Sequence, residues 1–288
     1  MLNAVIPGAP EIAIHQSIEQ LGDLSGIDCA IVTTRSRLPQ CAPTLASLLG
    51  AGCSVVSTCE ELIFPWLHHE KLARDLDELA KASNARLLGT GVNPGFLMDV
   101  FPIFATTVCK QVHAIQVHRI QDAGSRRAPF QKKIGATMTP KEFDQHAQSG
   151  AMAHVGLGES LHLIASHLNL PIQRWAETIQ PVIAEEDLEC AIGPISAGNV
   201  RGIMQVARGM YGAQCLVELI FKAAIAEPNP HDTIIVDGVP PFELTWRGGV
   251  HGDAATAALV LNTISPLLKA APGLHMMTTI TPPGAVRA

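Results

Sequence analysis

At 288 residues, with 47% apolar and 16% charged positions, the chain can bury one large core or two modest ones and is too apolar for an extended disordered polymer. Its 20 basic and 26 acidic residues leave a net charge of -6, which supplies no field for nucleic acid or anionic membranes. Seven dispersed cysteines without a CxxC pair, and no basic-then-apolar leader, point to reduced thiols and a cytoplasmic setting. Apolar stretches carry charges and fall short of a membrane span.

Pro7, Gly8 and Pro10 break the first segment, and structure becomes legible after it. Cys29 to Thr34 and Cys53 to Ser57 are short apolar runs of the kind buried in a parallel sheet, with a helix between them from Pro39 to about Gly50. A helix from about His69 to Ser83 carries Leu72, Leu76 and Leu79 on one face. Arg86 to Gly89 is a third strand, and Gly91, Asn93, Pro94 and Gly95 lead into another apolar helix. This βαβαβ order predicts an α/β, Rossmann-type parallel sheet, with ligands beyond the carboxyl ends of its strands.

From about Gln111 the pattern changes to α+β with a mainly antiparallel sheet. Val112 to Ile120 reads as a strand, Pro140 to Ser149 and Gly158 to His167 as helices, and the region near Trp175 as a further helix. Met204 to Ala224 is strand-rich around a turn at Tyr211-Gly212-Ala213. Thr233 to Val236 and Phe242 to Trp246 flank the turn Asp237-Gly238-Val239-Pro240-Pro241, and Asp253 opens or caps a last helix reaching about Lys269. The expected division is an α/β parallel-sheet part at 1–110, an α+β part at 111–250 whose antiparallel sheet suits a dimer surface, and a helix and tail at 251–288.

The densest polar group follows the first strand of the second part: His118-Arg119, Asp122, Arg126-Arg127 and Gln131-Lys132-Lys133. An arginine fork suits a carboxylate and a lysine suits proton transfer, although a solvated basic loop has the same composition. Strand ends Thr33-Thr34, Ser57-Thr58 and Gly91 to Asn93 are polar enough for a ligand. Glu60 would orient an amine or a ribose hydroxyl, or cap a helix beginning near Pro65. Asn93 can donate and accept, and Pro94 holds it away from helical geometry. His154 exchanges protons near neutrality, whereas Glu159 sits in a helical first turn where a negative charge is favoured on structural grounds alone. Twelve histidines include no HExxH, no cysteine pair has zinc spacing, and no GxSxG elbow occurs, so neither a metal nor a nucleophilic serine is expected.

Ser57 to Leu62, Gly89 to Asp99, Arg126-Arg127 with Gln131 to Gly135, His154 to Ser160, Ala197 to Ile203 and Gly248 to Asp253 resemble the 2,4-diaminopentanoate dehydrogenases. These belong to the dihydrodipicolinate reductase-like NAD(P)-dependent group, and the likeness runs from about residue 28 to Thr278. It implies oxidation of a primary amine of a small amino acid or diamino acid to an imine and then a ketone, in a homodimer built through the second part. The resemblance places the nicotinamide near Thr34, Ser57, Thr58 and Asn93, with Thr33, Glu60 and Gly91 beside it. It gives Arg126 or Arg127 to a substrate carboxylate and Lys133 or Lys132 to proton handling, with His154 and Glu159 as further candidates. Family members open with a GxGxxG turn that this sequence lacks, and the segment before Cys29 is too short for a βαβ unit of roughly 30 residues. The expectation is therefore an N-terminally truncated nucleotide domain with weakened NAD or NADP binding. An imine reductase and a non-catalytic remnant stand as alternatives.

Overall fold

A computed structural model describes residues 6, 8, 10–148, 152 and 154–285, so Pro7 and Ser149 lie outside the described residues. Strands β1 (Cys29–Val32), β2 (Ser54–Ser57), β3 (Arg86–Gly89) and β12 (Gly273–His275) form a parallel sheet in the order β1-β2-β3-β12. Crossover helices α1 (Leu38–Gly50) and α2 (Glu70–Ala82) join its first three strands, and α7 (Gly252–Leu268) returns from late in the chain to pack on the sheet. Every residue of β2 is buried, as a strand covered on both faces requires. The α2 stripe is Ala73, Leu76 and Ala80, with Leu72 and Leu79 half-buried at its margin. β3 ends on Gly89 because any side chain there would meet the Leu62 backbone at 2.8 Å. That contact presses the 3-10 turn Glu60–Ile63 against the sheet.

The second sheet has the order β11-β10-β4-β9-β8-β5. Its strands are β4 (Gln111–Asp122), β5 (Arg174–Ile183), β8 (Val200–Tyr211), β9 (Gln214–Ala224), β10 (His231–Val239) and β11 (Phe242–Arg247). All neighbours are antiparallel except β4 and β9. A hairpin of β6 (Leu188–Cys190) and β7 (Gly193–Ile195) stands apart. Helices α3 (Val100–Ala105), α4 (Ala128–Lys133), α5 (Pro140–Gln148) and α6 (Leu157–His167) complete the chain. One apolar cluster runs from Val56 and Leu88 of the first sheet to Val117, Val217 and Phe221 of the second, so the two sheets share a core.

Several expectations need correction. Trp175 lies in β5, not in a helix: exposure alternates along Trp175-Ala176-Glu177-Thr178-Ile179, and all ten strand residues pair with β8. Pro181 is tolerated because β5 is an edge strand. Residues 128–133, read as part of a basic loop, form the short helix α4. The cap of α7 is His251, whose Nδ1 accepts from Ala254 N at 3.4 Å, while Asp253 sits inside the first turn. Asp237 to Val239 continue β10, leaving only Pro240 and Pro241 between it and β11.

Two carboxyls are buried around α6, and one of them docks it between the sheets. Asp99 accepts from Gly95 N at 2.7 Å, Val100 N at 2.6 Å and Ser160 Oγ at 2.7 Å. It thereby joins the loop after β3 to the first turn of α6, although burial raises its pKa. Glu159 has no such set of donors. Burial, reinforced by the Glu61 and Glu177 carboxylates, pushes its pKa up to about 7.

Asp99→Ala would leave Gly95 N–H and Ser160 O–H buried without an acceptor, and should cost roughly 2–4 kcal/mol in denaturant unfolding. A loss under about 0.5 kcal/mol, the range of ordinary surface changes, would contradict the anchoring role. For Glu159 the folded value exceeds the unfolded one, so its contribution is full below about pH 4.3 and is lost as pH rises through 7. Glu159→Gln should gain on the parent between pH 5 and 8, by at most roughly 3 kcal/mol. Thermal unfolding across that range reads the difference, and parallel curves for the two proteins would contradict it.

Candidate active site

Beyond the carboxyl ends of β1, β2 and β3 lies a cavity of about 260 Å³, walled by Thr33, Thr34, Thr58, Glu60, Gly91 and Asn93 among others. A second cavity of about 330 Å³ opens beside it under β4 and α4, walled by Arg119, Arg126, Arg127, Lys133, His154 and Asp253 among others. Glu60, Val92, Asn93 and Thr256 belong to both, so the two read as one cleft with its waist at these residues. The floor of the waist is fixed from α7, where Thr256 Oγ1 accepts from Val92 N at 3.3 Å. A further cavity of about 400 Å³ lies away from this cleft, between Leu97 and Phe101 and the Leu244 and Trp246 side of β11. Its walls are mostly apolar, and its one carboxylate, Asp232, is already bound to Arg119.

Six of the seven cofactor candidates meet in the first cavity. Ser57 does not: its Oγ is buried, donating to Val32 O at 3.0 Å and accepting from Cys59 N at 3.1 Å, which locks β2 to β1. Of the six catalytic candidates, Lys133, Arg126, Arg127 and His154 meet in the second cavity. Lys132 points elsewhere, and Glu159 is packed behind the wall near Glu61. Adjacent Glu60 and Glu61 also part ways. Glu61 is buried and accepts from Leu38 N at 2.7 Å and Arg37 Nη1 at 2.7 Å, with His69 Nε2 at 2.9 Å. Burial works to raise its carboxyl, but these three partners hold it below the usual range. Glu61 thus fixes the start of α1, and with it the Thr33-Thr34 turn.

The second cavity is cationic but largely compensated. Register sets Arg119 of β4 opposite Asp232 of β10, and the buried pair closes at 2.7 Å. Arg119 Nη2 and Asp232 Oδ2 also grip the Val250 backbone, at 3.1 and 2.8 Å. Arg126 stacks 4.0 Å over Phe130, reaches Asp253 Oδ1 at 2.9 Å and Gln121 Oε1 at 3.3 Å, and leaves its buried Nε without a partner. Gly252 makes room for it, since a Cβ there would lie 2.8 Å from Nη1. Mostly exposed Arg127 shares Asp253 at 3.2 Å, while Lys133 enters no ion pair among the described residues. Gln131 braces the turn from below, donating to Ala123 O, Gly124 O and Arg126 O and accepting from Ala191 N.

At the waist Asn93 Nδ2 lies 2.9 Å from His154 Nε2, and Asn93 Oδ1 is buried without a partner, as is Thr90 Oγ1 nearby. Each such orphan costs about 1–3 kcal/mol unless a ligand or water satisfies it, the mark of a site built to be filled. Burial, with Lys133, Arg119 and Arg126 facing the ring, pushes His154 down to about 3, so its imidazole is neutral. Arg119 stands in the polar group that follows the first strand of the second part but carries no role there, and Gln121 and Thr256 are not singled out by the sequence. The first two had a signal, because they follow Ile115 and Val117 on the buried face of an alternating strand. Thr256 had none. Among the described residues no group of three His, Cys, Asp or Glu could hold a metal ion, and no helix is long and apolar enough to cross a membrane.

Comparison with known proteins agrees with this geometry. A 2,4-diaminopentanoate dehydrogenase from Acetoanaerobium sticklandii is 29% identical over 289 residues, spanning 97% of this chain and 81% of that protein. The structure of an amine dehydrogenase from Mycobacterium smegmatis superposes with a TM-score of 0.84 over 97% of this chain and 84% of that one; at 18% identity it shows a shared fold. The family model of the 2,4-diaminopentanoate dehydrogenase C-terminal domain matches residues 96–288, from the end of the Asn93 loop through both walls of the cationic cavity, and the chain belongs to that family.

Proposed function

We propose that the chain is an NAD(P)-dependent oxidoreductase that oxidatively deaminates a primary amine on a small amino acid or diamino acid, of which 2,4-diaminopentanoate is the type. The observation that carries this reading is the two-part cleft, in which a strand-end cavity meets a cationic one at Asn93. NAD(P) fits the first part at its nicotinamide end, where a carboxamide would satisfy the orphaned Thr90 Oγ1. Thr33, Thr34, Thr58, Glu60 and Gly91 would hold the rest of that end. When bound, NAD(P)+ supplies the acceptor for the hydride that leaves the amine carbon.

The chain's own residues bind, orient and move protons. Arg126, with a free Nε–H at the wall, takes the substrate carboxylate, and Glu60 faces an ammonium group from the waist. Lys133, once it has passed its own proton to solvent, removes one from the substrate ammonium to give the free amine. After hydride loss the carbon and nitrogen form an iminium ion, to which water adds, releasing a ketone and ammonium. Residues 1–110 form the nucleotide half, 111–250 the substrate half, and 251–288 the returning helix and tail.

The reading includes a homodimer through the face of the second sheet opposite α6. That face carries Met204, Val206, Ile220 and Ile235, together with the ladder Gln116–Glu218–Arg208. Seven free cysteines suit a reducing, cytoplasmic setting.

Amine-dependent NAD(P)H formation tests the function, with monoamino acids, diamino acids and cyclic imines as separate arms. Turnover confined to cyclic imines would make the protein a reductase, and no response to any amine would contradict the proposal. Lys133→Met should lower kcat about 100-fold while Lys132→Met changes it less than about twofold. Arg126→Ala should raise KM for a carboxylate-bearing amine about tenfold or more, with little change for an amine lacking the carboxylate. Light scattering should give twice the chain mass.

A further inference from the structure

His154 is held on every side. Its backbone N–H donates to Gln205 Oε1 at 2.8 Å, and its carbonyl accepts from Gln205 Nε2 at 2.9 Å. Gln205 is itself fully buried and bonded to Glu177. The ring packs against Phe221 with centroids 4.6 Å apart. Gly156, at φ 112, lets the following turn lie directly on Pro94, where a side chain would overlap the proline ring. These contacts fix the imidazole against one atom, Asn93 Nδ2. The other end of the same amide, Oδ1, is buried, without a partner, and lies where the two cavities join.

We infer that His154 is a positioning residue: its Nε2 takes the Asn93 Nδ2–H and so turns Asn93 Oδ1 toward the cleft, where it accepts an N–H of the nitrogen being oxidised. The inference rests on the amine-oxidation reading above and names a group that acts at its reacting centre. As the carbon–hydrogen bond gives up its hydride, the carbon–nitrogen bond becomes double and the nitrogen gains positive charge. Its N–H then becomes a stronger donor, so a fixed acceptor holds the transition state more tightly than the free amine. The amide oxygen takes no proton, and deprotonation stays with Lys133. A protonated His154 would reverse the arrangement. It would donate from Nε2, turn the amide over and set an NH2 group against the forming cation. Lys133 from α4, Arg119 from β4 and Arg126 from the turn all act on the ring; of the carboxylates around it, Asp253 is held by Arg126 and Arg127, Glu177 is bound by Gln205, and Glu60 lies at the waist. The cationic wall therefore keeps the histidine in the form that orients Asn93.

NMR of the unloaded protein with 15N-labelled histidine tests the pair directly. His154 should carry its proton on Nδ1, with a bare Nε2, and should not titrate between pH 5 and 8. Titration near the ordinary value of about 6.5, or a proton on Nε2, would overturn the inference. His154→Gln offers an amide oxygen to Asn93, and should keep kcat within about fivefold. His154→Leu offers no acceptor, and should lose about 100-fold in kcat with a smaller change in KM for NAD(P). Equal kcat in the two variants, with the parent active, would overturn the positioning role alone. A parent that turns over no amine, yet shows the Nδ1–H tautomer, would instead sink the reaction and with it the role of Oδ1.

Discussion

The geometry of the cleft depends on the three hydrogen bonds accepted by the Asp99 carboxyl. Gly95 N and Val100 N bring it the loop that leaves β3, and Ser160 Oγ brings it the first turn of α6. Asn93 lies on that loop two residues before Gly95, and His154 lies just ahead of α6. Their side chains are 2.9 Å apart because Asp99 sets the two segments side by side. Gly156 against Pro94 removes the remaining gap. A single buried acid thus relates the strand-end cavity of one sheet to the cationic cavity of the other.

A second constraint governs charge. Four cations line the second cavity, and three of them are held by aspartates: Arg119 by Asp232, and Arg126 and Arg127 by Asp253. Pairing keeps buried guanidiniums from repelling one another and fixes where their remaining N–H groups point. The same pairs hold the Gly248 to Asp253 segment, so the start of α7 is part of the site wall. Lys133 is the exception, with no ion-pair partner among the described residues to hold it in the charged form.

Much of the parallel sheet was legible because its strands are short, mainly apolar runs followed by polar residues, and those ends carry the ligand candidates. Which of two adjacent polar residues faces the cleft was not legible. Glu60 and Glu61, or Lys132 and Lys133, are alike in sequence; a 3-10 turn seated on Gly89 and a six-residue helix decide between them. Ser57 looks like a ligand residue but spends both hydrogen-bonding capacities on Val32 and Cys59. The strand through Trp175 went unread because it is an edge strand interrupted by Pro181, and β12, three residues long, is a strand only through its pairing with β3. The N-terminal region ahead of Cys29 gave no GxGxxG signal, and β1 stands at the edge of its sheet.

The central claim is that an amine carbon and a nicotinamide meet at Asn93, so that a hydride passes between them. The direct measurement is mass analysis of the cofactor after incubation with NAD(P)+ and a diamino acid deuterated at the carbon bearing the reactive amine. The account predicts one deuterium in the reduced cofactor, a ketone lacking that label, and a slower reaction than with the unlabelled substrate. Reduced cofactor without deuterium, or loss of ammonia without cofactor reduction, would contradict it.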